Sequence, residues 1–433
     1  MRVPKPWHFS ILVIPYGVSF GFVSVALPYL ARQKGIPVAT ISGIVAAAFV
    51  PHGLKVLWAP IVDATLTRKA WYVIALALLA AGTFAMMAMP ISASSIPALR
   101  SVVVASQVGL TLLYMACEGV LGRAVPTERK STAASWLMAG TFFGLGVGGG
   151  IAIELVSRLP GAVAGVIVVA GLSLCALPLL GFDEPVDAEK HSAVQAAREL
   201  GRELWGMVRS SAGVVAIIFA ISTVQSGAAS AVFSAMADDW HASRELVEMT
   251  NGWLSGIVQA LGAGLGGWAM KRIDRRAAFM LAGGFTATMG LAMAFGPRAP
   301  WAYVTFTLIY NMFLGAAYSS FSAFAYATIG KKAVATKYNI LASLMNFSIS
   351  YKLGILGAAS KWRGPTGVLI ADASITLGGI AVLLAVIAIA GRLAPSGSAS
   401  SPAESRGRRR PPAPRSDASR RRRRAASGRG HTP

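Results

Sequence analysis

Glu118 is the side chain best suited to chemistry in this chain. It lies in an apolar stretch, 98–122, preceded by Gln107, Thr111 and Tyr114. The spacings of 4, 3 and 4 residues put all four on one face of a helix. An ionisable group at the depth of hydrocarbon costs roughly 2.5–3.5 kcal/mol on insertion scales, so it is seldom decorative. Burial disfavours the charged form of a carboxyl. Such an acid can therefore take up a proton on one side of a barrier and release it on the other. The competing reading is a structural ion pair with Arg123, His52 or Lys55. A second constellation runs from Pro51 to Trp71, PHGLKVLWAPIVDATLTRKAW, where His52, Lys55 and Asp63 sit in or beside an apolar run and Asp63 meets Arg68 and Lys69. An acid at a helix end facing a cationic loop can clamp two helices together, or it is ordinary flanking charge. Gly266–Phe279, GGWAMKRIDRRAAF, repeats the pattern, with Asp274 among basic residues that include Arg275 and Arg276. Related loops in corresponding places point to an internal repeat.

The elements that must carry these residues are membrane spans. The 433 residues are 55% hydrophobic and 13% charged, with a mean hydropathy of +0.58, whereas soluble domains average about 25% charged. A helix needs about 20 apolar residues to cross a bilayer. Twelve stretches qualify: 8–30, 40–62, 71–90, 98–122, 132–157, 161–182, 211–236, 247–270, 277–296, 301–328, 337–360 and 366–391. Arg2 and Lys5 precede an apolar run that continues to Leu30 without a small-residue cleavage site, so a first span is expected there rather than a cleaved leader. Cys117 and Cys175 both lie in apolar runs, which supports neither a disulfide framework nor a metal site.

With the N-terminus placed inside, the inner segments before the tail hold 18 Lys and Arg, and the outer segments hold 8. This bias puts both termini in the cytoplasm. The expected organisation is a six-helix half over 1–182, a cytoplasmic loop over 183–210, a second six-helix half over 211–392 and a tail over 393–433. The loop between Ala188 and Val208 reads as an amphipathic surface helix, with Val194, Leu200, Leu204 and Trp205 available to one side, or as a flexible linker. The tail, counted with Arg392, carries 12 Arg against Glu404 and Asp417. That composition builds no core and is expected to be disordered. Its Arg420–Arg424 run suits anionic lipid headgroups or is incidental low complexity. Nucleic acid is not the expected partner, since no aromatic residues interleave the run.

Polar residues inside spans face a cavity or a neighbouring helix. The first span offers Tyr16, Ser19 and Ser24, and the seventh Ser222, Gln225, Ser226 and Ser230. The tenth offers Asn311, Tyr318 and Ser322, with Gly315 and Tyr326 on the same stripe. The eleventh carries Asn339, Ser343, Asn346 and Ser350, then Tyr351 and Lys352. Lys352 either meets an anionic substrate group or snorkels to the interface. Glu154 and Asp372 fall near expected outer ends of their spans and receive no role. Gly140, Gly144 and Gly148 form a ladder that permits close helix contact, echoed by Gly262 and Gly266, either as sliding contacts between halves or as static packing. There is no metal-ligand spacing, phosphate loop or nucleophile with a positioned base, so neither an enzyme nor a cofactor is expected.

Leu54–Asp63, LKVLWAPIVD, resembles the LKxLWAPxxD signature of the AmpG-type muropeptide permeases and their acetyl-CoA transporter relatives, within the major facilitator superfamily. Ser19–Ile44 is similar to the first-helix region of the same family, and the close resemblance covers about the first 130 residues. The loops Asp63–Lys69 and Gly266–Arg276 resemble those after the second and eighth helices of the superfamily. The resemblance implies an all-α membrane protein of twelve transmembrane helices in two halves, with helices one, four, seven and ten around a central cavity. It implies a secondary transporter of the bacterial inner membrane, monomeric and proton-coupled, that imports a small-molecule solute of the muropeptide kind by alternating access. Where that family carries two intramembrane aspartates, Tyr114 and Glu118 stand here. Two other readings remain open. One is a carrier of a CoA thioester or another small solute such as a drug or metabolite, for which Lys55, Arg123 and Lys352 are the candidate cations. The other is a non-transporting assembly factor or sensor on the same scaffold.

Overall fold

The computed structural model describes residues 2–184, 193–329 and 334–393. The arginine-rich tail from 394, Lys190, Lys331, Lys332 and the side chain of Asp63 lie outside the described residues. Among the described residues the chain is helical throughout, without a strand. Its helices are α1 (His8–Gln33), α2 (Val38–Ala64), α3 (Arg68–Ala88), α4 (Ile96–Ala124), α5 (Glu128–Arg158), α6 (Gly161–Leu174), α7 (Ala193–Arg209), α8 (Ser211–Ile221), α9 (244–269), α10 (Arg275–Phe295), α11 (Pro300–Thr328), α12 (334–362) and α13 (365–393). Helices satisfy their own backbone groups, which is why apolar chains adopt them in lipid.

Starts and breaks follow local chemistry. Thr67, Ser210, Ser243 and Asp274 cap α3, α8, α9 and α10 by accepting a backbone N–H from the first turn. Arg363 and Gly364 leave helical geometry, Gly364 at φ +54°, and so separate α12 from α13 ahead of Pro365. Among the described residues, eight helical stretches are long and apolar enough to cross a membrane. The stretch holding α12 and α13 counts among them as one, and α7 with α8 is a further candidate bent by 98°. The helices over 244–269 and Pro300–Thr328 are not among the eight. Eleven of the twelve expected stretches fall on helix over most of their length, and the seventh differs from expectation.

The seventh stretch is helical only to Ile221. Residues 222–227 then unwind, with Thr223 at φ +63° and Gly227 at φ +53°, before short turns over Ala228–Trp240. The cause is visible in the side chains. Ser222 Oγ donates to Phe219 O at 2.8 Å, Gln225 Nε2 to Ala220 O at 3.1 Å and Thr223 Oγ1 to Ser222 O at 2.5 Å. Side chains thus supply hydrogen bonds where the helical ladder stops.

α1 packs on α5, α3 on α4 and α6, and both α9 and α10 on α11. The glycine ladder of α5 lies against α1. A Cβ on Gly140 or Gly148 would collide with the carbonyl oxygens of Ser10 and Val18, and one on Gly262 with that of Met312 in α11. Contact across the two sets of helices is made instead by Gly146 and Gly150, which lie against Trp253 of α9. The described residues up to Ile387 pack as one compact unit. The outer surface is apolar, with Leu261, Leu281 and Phe295 exposed, as a lipid-facing bundle requires.

Candidate functional site: an uncharged cavity and an accessible glutamate

A cavity of about 400 Å³ lies between α1, α5, the 227–231 turn, α9 and α11. That is a small-molecule volume. No charged side chain among the described residues lines it. Tyr16, Ser24, Thr141, Ser230, Asn251, Ser255, Gln259, Asn311, Tyr318, Ser319 and Ser322 supply polar groups beside Phe20, Phe49, Phe142 and Leu314. Gln259 Nε2 donates to Asn311 Oδ1 at 3.1 Å, and Asn311 Nδ2 to Thr307 O at 2.9 Å. The hydroxyls of Ser24, Thr141, Ser230, Ser255 and Ser319 all donate to backbone carbonyls of their own segment. Their protons are thus committed, and they present lone pairs to the cavity. The lining favours a solute that brings O–H and N–H donors and an apolar face.

Glu118 sits on α4 and is exposed, with Lys55 of α2 as its charged neighbour. Tyrosines from both sets of helices surround it electrostatically: Tyr16 and Tyr114 from α1 and α4, Tyr326 and Tyr338 from α11 and α12. Tyr16 and Tyr114 have ring centroids 4.7 Å apart, and Tyr326 stacks on Tyr338 at 4.4 Å. Ser322 lines the cavity and its Oγ lies 2.9 Å from Tyr338 Oη. Ser322 and Tyr338 therefore form a polar link from the cavity towards the glutamate.

Of the sequence candidates for the cavity, Tyr16, Ser24, Ser230, Asn311, Gly315, Tyr318 and Ser322 line it together. The others are placed elsewhere. Ser19 Oγ is 3.5 Å from Ser106 Oγ; Thr111 donates to Val108 O; Asn346 donates to Ala342 O. Gln107 Oε1 lies 3.1 Å from His52 Nε2, and His52 is buried among Tyr16, Phe20 and Phe49 rather than placed at a loop. Ser222 and Gln225 stabilise the break after α8. Tyr114 lies beside Glu118. Lys352 is 1% exposed and pairs at 2.8 Å with Asp372, itself 0% exposed. Neither the snorkelling expected of Lys352 nor the wet span end expected of Asp372 is what the fold provides. The helix reversal at Arg363–Gly364 brings the two to matching depth. Asn251, Ser255 and Gln259 line the cavity from α9 and went unnoticed in the sequence. Their regular spacing of four residues was the available signal.

The basic loops act as fasteners. Arg68 Nη1 donates to Val62 O at 2.6 Å, and the backbone N–H groups of Arg68 and Lys69 donate to Glu184 at 2.6 and 2.9 Å. Lys69 Nζ donates to the carbonyls of Leu179 and Phe182 and lies over the Phe182 ring. This binds the start of α3 to the chain beyond α6. Asp274 accepts the Arg276 N–H at 2.8 Å as the cap of α10, Arg276 covers the Phe324 ring, and Arg275 is exposed. Asp183 accepts the Arg2 N–H at 2.8 Å, and that bond followed by the Arg2 charge holds its carboxyl below the usual range. At the opposite end, Arg244 of α9 bridges Glu154 at 2.7 Å and Ser157 at 2.8 Å on α5, with Glu248 at 3.3 Å. Arg158 also pairs with Glu154. Gln33 at the end of α1 donates to Asp238 at 3.2 Å. These contacts tie that end across the two sets of helices.

The model of the Major Facilitator Superfamily matches residues 9–351. No curated protein sequence matches the chain. Among solved structures, the nucleoside transporter NupG is similar at 12% identity with a TM-score of 0.70, covering 88% of this chain and 98% of that one. A POT family transporter in complex with a thioalcohol conjugated peptide is similar at 12% identity and TM-score 0.66, covering 89% and 96%. The complex of a POT family transporter with 5-aminolevulinic acid gives 13% identity and TM-score 0.67 over the same shares. At such identities the likeness is one of fold.

Proposed function

Because the chain belongs to the major facilitator superfamily, we propose that it is a secondary transporter for a small, uncharged solute rich in hydrogen-bond donors. The observation that carries this reading is the cavity, whose described polar lining holds no charge and five of whose hydroxyls already donate to backbone carbonyls. Alternating access is supported by the asymmetry of the bundle: Arg244 and Glu154 fasten one end, while Glu118 elsewhere is exposed. In this reading the halves 1–182 and 211–392 rock about the cavity, and Glu118 carries the coupling proton. The Lys and Arg bias supports cytoplasmic termini in a bacterial inner membrane, and the protein works as a monomer.

The substrate class is narrower than the first 130 residues imply. A CoA thioester needs cations around its phosphates, and the cavity offers none. A muropeptide remains the second reading, favoured by the LKVLWAPIVD motif, though its carboxylates find no cation in the cavity either. A nucleoside, the named cargo of one structural relative, brings hydroxyl donors and an aromatic face without charge.

Uptake into proteoliposomes under a pH gradient tests this. Labelled uridine and a labelled anhydro-disaccharide peptide are compared in wild type and Glu118→Gln. Accumulation of uridine by wild type, with the variant reduced to equilibration, supports both solute class and coupling site. Accumulation of the peptide alone returns the assignment to the muropeptide class. Flux of neither overturns the reading.

A further inference from the structure

The structure assigns to α7 a docking surface for anionic phospholipid. The helix meets α8 at 98°, so it lies across the end of the bundle rather than along it. At 3.6 residues per turn its side chains fall into three stripes. Ala196, Leu200, Glu203 and Met207 face the protein: Met207 is buried, Leu200 packs beside it, and Glu203 pairs with Lys337 of α12 at 3.4 Å. Val194, Leu204, Trp205 and Val208 form a second, apolar stripe that is exposed, Trp205 by 56%. Arg198, Arg202 and Arg209 form the third, at spacings of 4 and 7 and all exposed. Glu199 and Glu203 fall on the far side of that stripe, away from Trp205. Arg198 and Arg202 make no ion pair among the described residues, and Arg209 covers the Trp205 ring at 4.7 Å.

A soluble anion would answer the arginines and leave the apolar stripe bare, and a purely apolar partner would do the reverse. A membrane surface with net negative headgroups answers both, the apolar stripe entering the acyl boundary and the arginines meeting phosphate. This surface is independent of the cavity and of the solute it takes.

The test uses the full chain in nanodiscs of phosphatidylcholine with or without phosphatidylglycerol, reading amide hydrogen exchange over 193–209. Phosphatidylglycerol is expected to slow exchange about tenfold, given the worth of each basic residue near an anionic surface. The variant R198Q/R202Q/R209Q, its tail intact, should lose that response while unfolding thermally like wild type, and R198K/R202K/R209K should keep it. The assignment is overturned if phosphatidylglycerol gives wild type no added protection. It is also overturned if the glutamine variant responds fully, which would move the effect to the tail, or if inorganic phosphate over phosphatidylcholine protects equally.

Discussion

Glu118 and Asp372 are both carboxylates with a lysine for a neighbour, and the fold treats them in opposite ways. Glu118 is exposed, flanked by Lys55 and tyrosine hydroxyls contributed by several helices. Asp372 is sealed. Lys352 Nζ stands 2.8 Å from one oxygen and Tyr310 Oη donates to the other at 2.9 Å, while Lys352 also donates to Thr376 Oγ1 at 2.8 Å. Removing either partner would leave the other's charge stranded in a dry interior. Glu118, being exposed, has no such constraint on its side chain. The contrast teaches that access rather than depth in the sequence separates an exposed acid from a sealed one.

The sharpest way to break this comparison is to remove one partner of the sealed pair. Asp372→Ala should lower unfolding stability by roughly 3–5 kcal/mol, measured by thermal or denaturant unfolding in detergent. The double variant Lys352→Met/Asp372→Leu should recover most of it. A cost within about 0.5 kcal/mol for the single change would place Asp372 in the same class as Glu118. A buried neutral group gives the intermediate case. Gln225→Ala strips the Ala220 carbonyl of its donor and should cost roughly 1–3 kcal/mol in the same assay. Glu118→Gln should move stability by less than about 0.5 kcal/mol while abolishing gradient-driven accumulation in proteoliposomes. Loss of stability alongside transport would make the glutamate structural.

Asp183, outside the bundle, extends the series to its weakest member. Its carboxyl is held low by the Arg2 N–H and guanidinium, so its contribution is present above the ordinary carboxylate range and fades as the pH falls through the lowered value. Asp183→Asn should remove that acid-side slope from unfolding curves, lowering stability slightly at neutral pH and leaving it unchanged below the lowered value.

The fold was legible because lipid permits so little: apolar length, glycine ladders and basic loops each have few structural outcomes in a bilayer. Hydropathy could not see the break after Ile221, since Ser222, Thr223 and Gln225 are as compatible with a polar stripe as with side chains replacing backbone bonds. The cavity was half legible. Stripes on the first and tenth spans reached it, whereas Asn251, Ser255 and Gln259 were masked by the glycines that dominate their span. The Lys352–Asp372 pair was hidden for a different reason. Its members belong to separate helices, and only the turn at Arg363–Gly364 brings them level.

The unwound stretch at 222–227 also has a mechanical meaning. α8 is anchored to its own neighbours, with Tyr351 Oη donating to Ile221 O at 2.6 Å and α11 packed alongside. The segment beyond the break rests on the end of α1, where Gln33 grips Asp238. A continuous rod would transmit axial thrust from one anchorage to the other. Interrupted between Thr223 and Gly227, the segment is built like a shaft with a joint in it: no continuous helical ladder links the two anchorages.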